Sequence, residues 1–252
     1  MLNIDKIREN LNALGYSAPR LLFYESTDST NTRAREWSRS HGTAAVFVAA
    51  SQSAGRGRLG RSFLSETGGI YISFLVYPEE KLSSPAGITA EAAVRMCHAV
   101  ERASGVSPYI KWVNDLYVNG KKVAGILTEG EFDEFGFLRY YILGMGINVY
   151  KIKDFDSIMP IATTLEDNAE RDIDINLLCA EIIGAAAEEI PTTQLLSEYR
   201  DRCLVTGREV TVIRGGEEYA ARAVGITDGY ELLVRRDGVT EILSSGEVSL
   251  RL

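Results

Sequence analysis

Directly after an apolar run that reads as a strand comes Gln52-Ser53-Ala54-Gly55-Arg56-Gly57-Arg58-Leu59-Gly60-Arg61. Its arginines are forked, permanently charged donors, and its glycines open backbone conformations closed to other residues. Guanidinium groups and backbone amides together match the oxygens of a phosphate or carboxylate, so this loop is suited to closing over an anion. A solvated surface loop is the plainer alternative. It is not a Walker loop, because GxxxxGKS/T is absent. Lys111-Trp112-Val113-Asn114-Asp115 crowds a cation, an aromatic plane, an amide and a carboxylate into the end of a strand-like run. In Lys121-Lys122-Val123-Ala124-Gly125-Ile126, alternation sends one lysine to each face of a strand, and one of them can reach a cleft. Gly144-Met145-Gly146-Ile147-Asn148 ends the next strand with glycines that allow a ligand to come close.

Elements to hold these segments alternate along the chain. Ile4, Ile7, Leu11 and Leu14 have helical spacing that stops at Gly15. Residues 21–25, 45–50, 70–77, 109–112, 116–118, 123–129 and 138–145 read as strands. Residues 31–40, 86–103 and 175–189 read as helices, with a shorter helix at 195–202. Asn119-Gly120 between two apolar runs is a hairpin signal. Hairpins together with helix–strand alternation predict an α+β mixed sheet with helices on one face. After residue 202 the text changes to short strands, near 209–213, 219–226, 231–235 and 239–243, with turns at Gly215-Gly216, Asp228-Gly229 and Asp237-Gly238. That rhythm predicts a small β-barrel and a division into domains 1–202 and 203–252.

The 252 residues are 45 % hydrophobic and 25 % charged, which excludes a disordered or fibrous chain. No apolar run approaches the roughly 20 residues of a membrane helix, and the first residues lack the pattern of a signal peptide, so a cytoplasmic protein is expected. A formal charge of −8 argues against broad binding to nucleic acid. The 27 residues before Asp28 are too few for a winged-helix DNA-binding domain. Cys97, Cys179 and Cys203 form no CxxC pair and only His41 and His98 supply imidazole, so neither a disulfide framework nor a structural metal is expected. His98 has no carboxylate near it in sequence, and the acidic stretch 129–134 reads as a solvated turn.

Taken in order, Asp28-Ser29-Thr30-Asn31, the GRGRLGR loop, KWVND, KKVAGI and GMGIN resemble the biotin protein ligases, the biotin–[acetyl-CoA-carboxylase] ligases. The C-terminal β-rich piece ending Ser245-Gly246-Glu247-Val248-Ser249-Leu250-Arg251 looks like that family's SH3-like domain, and the short N-terminus is similar to the monofunctional members that lack a DNA-binding domain. The resemblance implies a class II aminoacyl-tRNA synthetase/biotin synthetase-like catalytic domain. It also implies a reaction in two steps: biotin and ATP form biotinyl-5'-AMP with loss of pyrophosphate, and a lysine of a biotin carboxyl carrier protein then takes the biotinyl group. ATP enters with magnesium, and no prosthetic group is implied. No protein nucleophile is required, in keeping with a chain that offers no Ser-His or Cys-His constellation.

Carried over by motif, Ser29, Thr30, Asn31, Gln52, Arg56, Gly57, Arg58 and Lys122 would bind biotin. Arg58, Lys111, Trp112, Asn114 and Asn148 would bind the nucleotide. Lys111, Lys122, Arg58 and Asp115 would carry the chemistry, with magnesium near Asp115. Two positions depart from the family pattern. Val113 stands where KWPND has proline, which leaves that backbone less constrained, and Phe63 stands where a tryptophan commonly follows the arginine loop. Two other activities fit the same residues: a lipoate or octanoate ligase or transferase of related fold, and a biotin-binding module without catalysis. No membrane partner is implied, and an exposed edge strand could pair two subunits.

Overall fold

The structure is a computed structural model that describes residues 1–82, 85–152, 155–158, 160–244 and 248–251. Asn3 opens α1 (Ile4–Ala13) by accepting from the N–H groups of Asp5 and Lys6, and Ile7 and Leu11 turn its apolar stripe inward. A seven-stranded mixed sheet follows. Its strands are β1 (Leu21–Tyr24), β2 (Ala45–Ala49), β3 (Gly69–Val76), β4 (Tyr109–Lys111), β5 (Asp115–Val118), β6 (Lys121–Phe132) and β7 (Leu138–Asn148), in the order β1-β2-β3-β7-β6-β5-β4. β1 and β2 are parallel, and the crossover between them is α2 (Thr30–Ser40). The other neighbours are antiparallel, with Asn119 and Gly120 both at positive φ in the β5–β6 turn.

β2 and most of β3 are buried on both faces, which explains their unbroken apolar text. Val46, Val48, Ile70, Ile72 and Phe74 join a large core with α3 (Ala86–Ser104), α4 (Ile175–Ala185) and α5 (Thr192–Arg202). Phe47 and Leu75, one residue out of phase, pack with Ala34 of α2. The expected helical layer on one face is therefore α1, α3, α4 and α5; short α2 takes the opposite face, where the site lies. α4 stops at Ala185 rather than near 189. The Arg95 guanidinium accounts for this, because it donates to the carbonyls of Ala185 and Glu188 at 3.0 and 2.7 Å in place of further helical turns. α5 starts at Thr192, straight after Pro191, earlier than the sequence suggests. Among the described residues no helix is long and apolar enough to cross a membrane.

The second sheet is antiparallel, with β8 (Glu209–Arg214), β9 (Glu217–Ile226), β10 (Leu232–Arg236), β11 (Val239–Leu243) and β12 (Val248–Arg251) in the order β11-β10-β9-β8-β12. Residues 245–247 of the C-terminal motif lie outside the described residues. Two sequence readings need correction. Glu129 is not in a solvated turn, because β6 runs on to Phe132 and the turn forms where Asp133 accepts from the N–H groups of Phe135 and Phe137. His98 does meet a carboxylate: its Nε2 bonds Glu198 across α3 and α5, a pair hidden by 100 positions of sequence.

Candidate functional site

The floor of the site is one face of β3, β7 and β6. Tyr71, Gly146 and Gly125 are cross-strand neighbours there, as are Ser73, Gly144 and Leu127. β7 continues to Asn148, so Gly144 and Gly146 lie inside the strand instead of ending it. Their missing side chains leave room for groups from above. A Cβ on Gly144 would lie 2.3 Å from Asn31 Oδ1, and one on Gly146 would lie 2.7 Å from the Phe63 ring.

Lys122 reaches this face through an irregularity. It lies three positions before Gly125, so simple alternation would point the two to opposite sides. The β5–β6 ladder slips instead, with Leu116 opposite Ala124 but Tyr117 opposite Lys122. This bulge absorbs Val123 and turns the ammonium over Gly125, where Nζ pairs with Asp115 Oδ1 at 2.7 Å and lies 5.7 Å from the Phe63 centroid.

The first turn of α2 walls one end. Ser29 occupies the N-cap without a side-chain bond to the helix. Gln52 supplies the cap from outside, its Oε1 accepting from Thr30 N–H at 2.8 Å and Thr30 Oγ1 at 3.1 Å. Gln52 Nε2 in turn donates to Ser65 Oγ at 3.1 Å. Buried Ser73 offers its hydroxyl to Thr30 Oγ1 and Asn31 Oδ1 at 2.7 and 2.6 Å, and Asn31 Nδ2 donates to Glu129 at 2.6 Å. Ser73 and Glu129 escaped the sequence reading, since nothing local marks a serine or glutamate on a strand as facing a helix start far away in the chain.

The arginine loop folds over this floor, with a 3-10 turn at Arg58–Gly60 and Leu59 at φ 55°. Arg56 Nη2 donates to Thr32 Oγ1 at 2.8 Å. Arg58 Nη1 donates to Asn114 Oδ1 at 3.1 Å, while Asn114 Nδ2 holds the Ile126 carbonyl at 2.8 Å. Lys111 lies 5.4 Å from the Tyr117 centroid. Burial pushes the Lys111 ammonium below the ordinary lysine range; Asp115 opposes that shift while Lys122 and Arg61 add to it. Burial and Asp115 push the Tyr117 phenol up to about 12. Trp112 is buried and its indole donates to the Tyr230 carbonyl at 2.9 Å, fastening KWVND to the β9–β10 connection of the second sheet. Asn148 donates to the Thr163 carbonyl at 3.2 Å.

The predicted site residues converge on two adjoining hollows. A recess of about 60 Å³ is lined by Ser29, Thr30, Asn31, Gln52, Arg56 and Gly57. A cleft of about 310 Å³ is lined by Lys111, Trp112, Asp115, Asn148 and Arg61. Gly57, Arg58, Phe63, Asn114 and Lys122 belong to both. The recess is rich in small neutral donors and acceptors, and so is suited to a polar uncharged ring. Among the described residues lining the cleft, Arg58, Arg61, Lys111 and Lys122 face the single carboxylate of Asp115. Such an excess of cations in a chain of charge −8 fits a polyanion. The bare floor beneath Phe63 can be tested directly. Gly146→Ala should destabilise the fold by about 1–3 kcal/mol through overpacking against that ring, measured by urea unfolding; an unchanged midpoint would show that the ring moves aside freely.

Residues 23–148 match the model of the biotin/lipoate A/B protein ligase family, and residues 205–251 match that of the biotin protein ligase C-terminal domain. The chain is 33 % identical over 238 residues to the bifunctional ligase/repressor BirA of Bacillus subtilis, covering 89 % of this chain and 72 % of that protein. It is 29 % identical over 258 residues to the biotin–[acetyl-CoA-carboxylase] ligase of Mycobacterium tuberculosis, covering 96 % and 93 % of the two chains. Among solved structures, the biotin protein ligase from Aquifex aeolicus in complex with biotin and ATP superposes with a TM-score of 0.75 at 31 % identity, covering 92 % of this chain and 98 % of that one.

Proposed function

The chain belongs to the biotin/lipoate A/B protein ligase family, and from that premise we propose that it joins biotin to a lysine of a biotin carboxyl carrier protein at the expense of ATP. The observation that carries this reading is the junction, at Arg58, Phe63 and Lys122, of a recess that holds the hydroxyls and amides of Ser29, Thr30, Asn31 and Gln52 with a cationic cleft. The ureido ring suits the recess, the triphosphate suits the cleft, and the carboxylate tail then meets the α-phosphorus beside Lys122. A lipoyl or octanoyl group has no polar ring to occupy the hydroxyls and amides of Ser29, Thr30, Asn31 and Gln52, and the relatives above carry the names of biotin ligases.

In the first step a carboxylate oxygen attacks the α-phosphorus and pyrophosphate leaves. Both partners are anions, so this chain's work is to hold them together and neutralise the charge that gathers between them. Lys122 sits where the tail oxygen and the bridging oxygen meet, Lys111 and Arg58 where the phosphoryl oxygens lie, and Asn114 and Asn148 on the nucleotide side. Magnesium arrives with the triphosphate. Asp115, the carboxylate of the cleft, suits a metal shared with phosphates and waters. In the second step the carrier amine attacks the acyl carbon of the anhydride and AMP leaves. The arginine loop shields that anhydride from water until then. We take the residues after 202 as the SH3-like unit; their apolar side chains join the same core as the larger sheet, and Trp112 ties them to the site.

The test is incubation with labelled biotin, ATP, magnesium and a carrier domain. Label on the carrier lysine is expected, and label appearing only with lipoate or octanoate would overturn the reading. The depressed Lys111 sets the pH response. Because the ammonium is the useful form, kcat/KM for ATP should fall on the alkaline side before an ordinary lysine would titrate, and Lys111→Arg should move that limb upward. Stability should move the other way. The unfolded chain keeps this proton to higher pH, so this group's share of folding free energy rises across the same window. An alkaline limb that is unchanged in Lys111→Arg would remove Lys111 from the assignment.

A further inference from the structure

Asn31 lies between two neighbours with opposite requirements. Its Nδ2 donates to Glu129 Oε2 at 2.6 Å, and its Oδ1 faces the Ser73 hydroxyl at 2.6 Å above the bare backbone of Gly144. A carboxylate can only accept hydrogen bonds. Arg35 Nη2, one turn along α2, pairs with the other oxygen of Glu129 at 2.7 Å. Ser73 has a single proton and two claimants, Asn31 Oδ1 and Thr30 Oγ1, so the carbonyl end of Asn31 retains accepting capacity.

We propose that Glu129 is a positioning residue that sets substrate choice: by taking the amide N–H of Asn31 it turns the Asn31 carbonyl toward the recess, where it accepts from a ring N–H. The proposal rests on the biotin reading above and deepens it. A ureido ring brings N–H donors, whereas the dithiolane ring of lipoate brings none, so an acceptor held in one orientation favours the first. Without Glu129 the amide could reverse and meet a ring N–H with its own NH2.

The test uses the full chain and follows pyrophosphate release against biotin concentration, with lipoate as the competing acid. Loss of one well-made hydrogen bond corresponds to a change of about 10-fold. Glu129→Gln should therefore raise KM for biotin about 10-fold with kcat nearly unchanged, and should narrow the preference for biotin over lipoate. The double variant Asn31→Asp with Glu129→Gln reverses the pair, because the new amide donates to the new carboxylate, which still offers an acceptor to the recess. It should recover most of the KM, a rescue that a merely structural role would not give. An unchanged KM in Glu129→Gln, or a double variant no better than the single, would overturn the proposal while wild-type turnover left the parent reading standing. If the wild type releases no pyrophosphate with biotin, both fall. Should Glu129→Gln fail to fold, the double variant decides alone: a biotin KM near the wild-type value supports the proposal and one raised about 10-fold overturns it.

Discussion

A Lys122→Met variant is expected to form the adenylate about 10²–10³-fold more slowly than the wild type while keeping its fold, the scale seen when one preorganised donor to a developing charge is removed. Lys122 is the one ammonium that lines both hollows, and the β-bulge at Val123 commits it to the site face rather than the core. Its folding contribution is small by comparison. The side chains of Lys122 and Asp115 are 29 % and 23 % exposed, so their ion pair is partly screened and contributes about 1 kcal/mol or less. Methionine keeps an unbranched stem of similar length and deletes the charge. Asp115 then faces the triphosphate without its ion-pair partner, which adds to the loss. Single-turnover pyrophosphate release and urea unfolding separate the two effects. Combining Lys122→Met with Asp115→Asn should restore stability and little of the rate. A single variant within threefold of wild type would show that the ammonium does not act on the substrates.

That bulge marks where sequence reasoning stops. The alternation rule says that Lys121 and Lys122 face opposite ways, but it cannot say which of them enters the cleft. The answer depends on a slip in pairing with β5, a strand whose own text is regular. The larger architecture was legible because its signals are local: apolar runs at 45–50 and 70–77, the Asn119-Gly120 turn, and punctuated short strands after residue 202. The segments that carry charge or glycine were legible too, since such residues are unusual beside apolar strands. The side chains that brace them were not. Ser73 sits in an apolar strand and looks like a tolerated small residue until α2 is laid across it, and Glu129 looks like part of an acidic turn until β6 is seen to continue. Gly144 and Gly146 hinted at close approach, yet what approaches is Asn31 and Phe63 as much as any ligand.

Replacing Arg58 by glycine should release the adenylate rather than abolish its formation. Arg58 is the strap of the loop. Its Nη1 donates to Asn114, and Asn114 is held to the backbone of β6 at Ile126, so the guanidinium ties residues 57–61 to the strand that carries Lys122. Burial lowers its pKa and Asp115 raises it, but a guanidinium starting so high stays charged throughout the range in which the enzyme can be assayed. A hydrogen bond from a charged donor contributes about 1.5–3 kcal/mol, so cutting the strap should speed escape of the mixed anhydride by about 10- to 100-fold. Glycine compounds this by adding backbone freedom to a segment that already holds Gly57 and Gly60. Freed adenylate acylates whatever amine it meets before water consumes it, so lysines on bystander proteins should acquire biotin, most heavily those nearest the enzyme. Gel filtration of enzyme preloaded with labelled biotin and ATP measures the retained adenylate, and mass spectrometry of an added inert protein measures the stray label. Arg58→Lys, which keeps charge but loses the planar fork, should fall between the two. Retention equal to wild type with no stray label would show that the loop is held shut by other contacts.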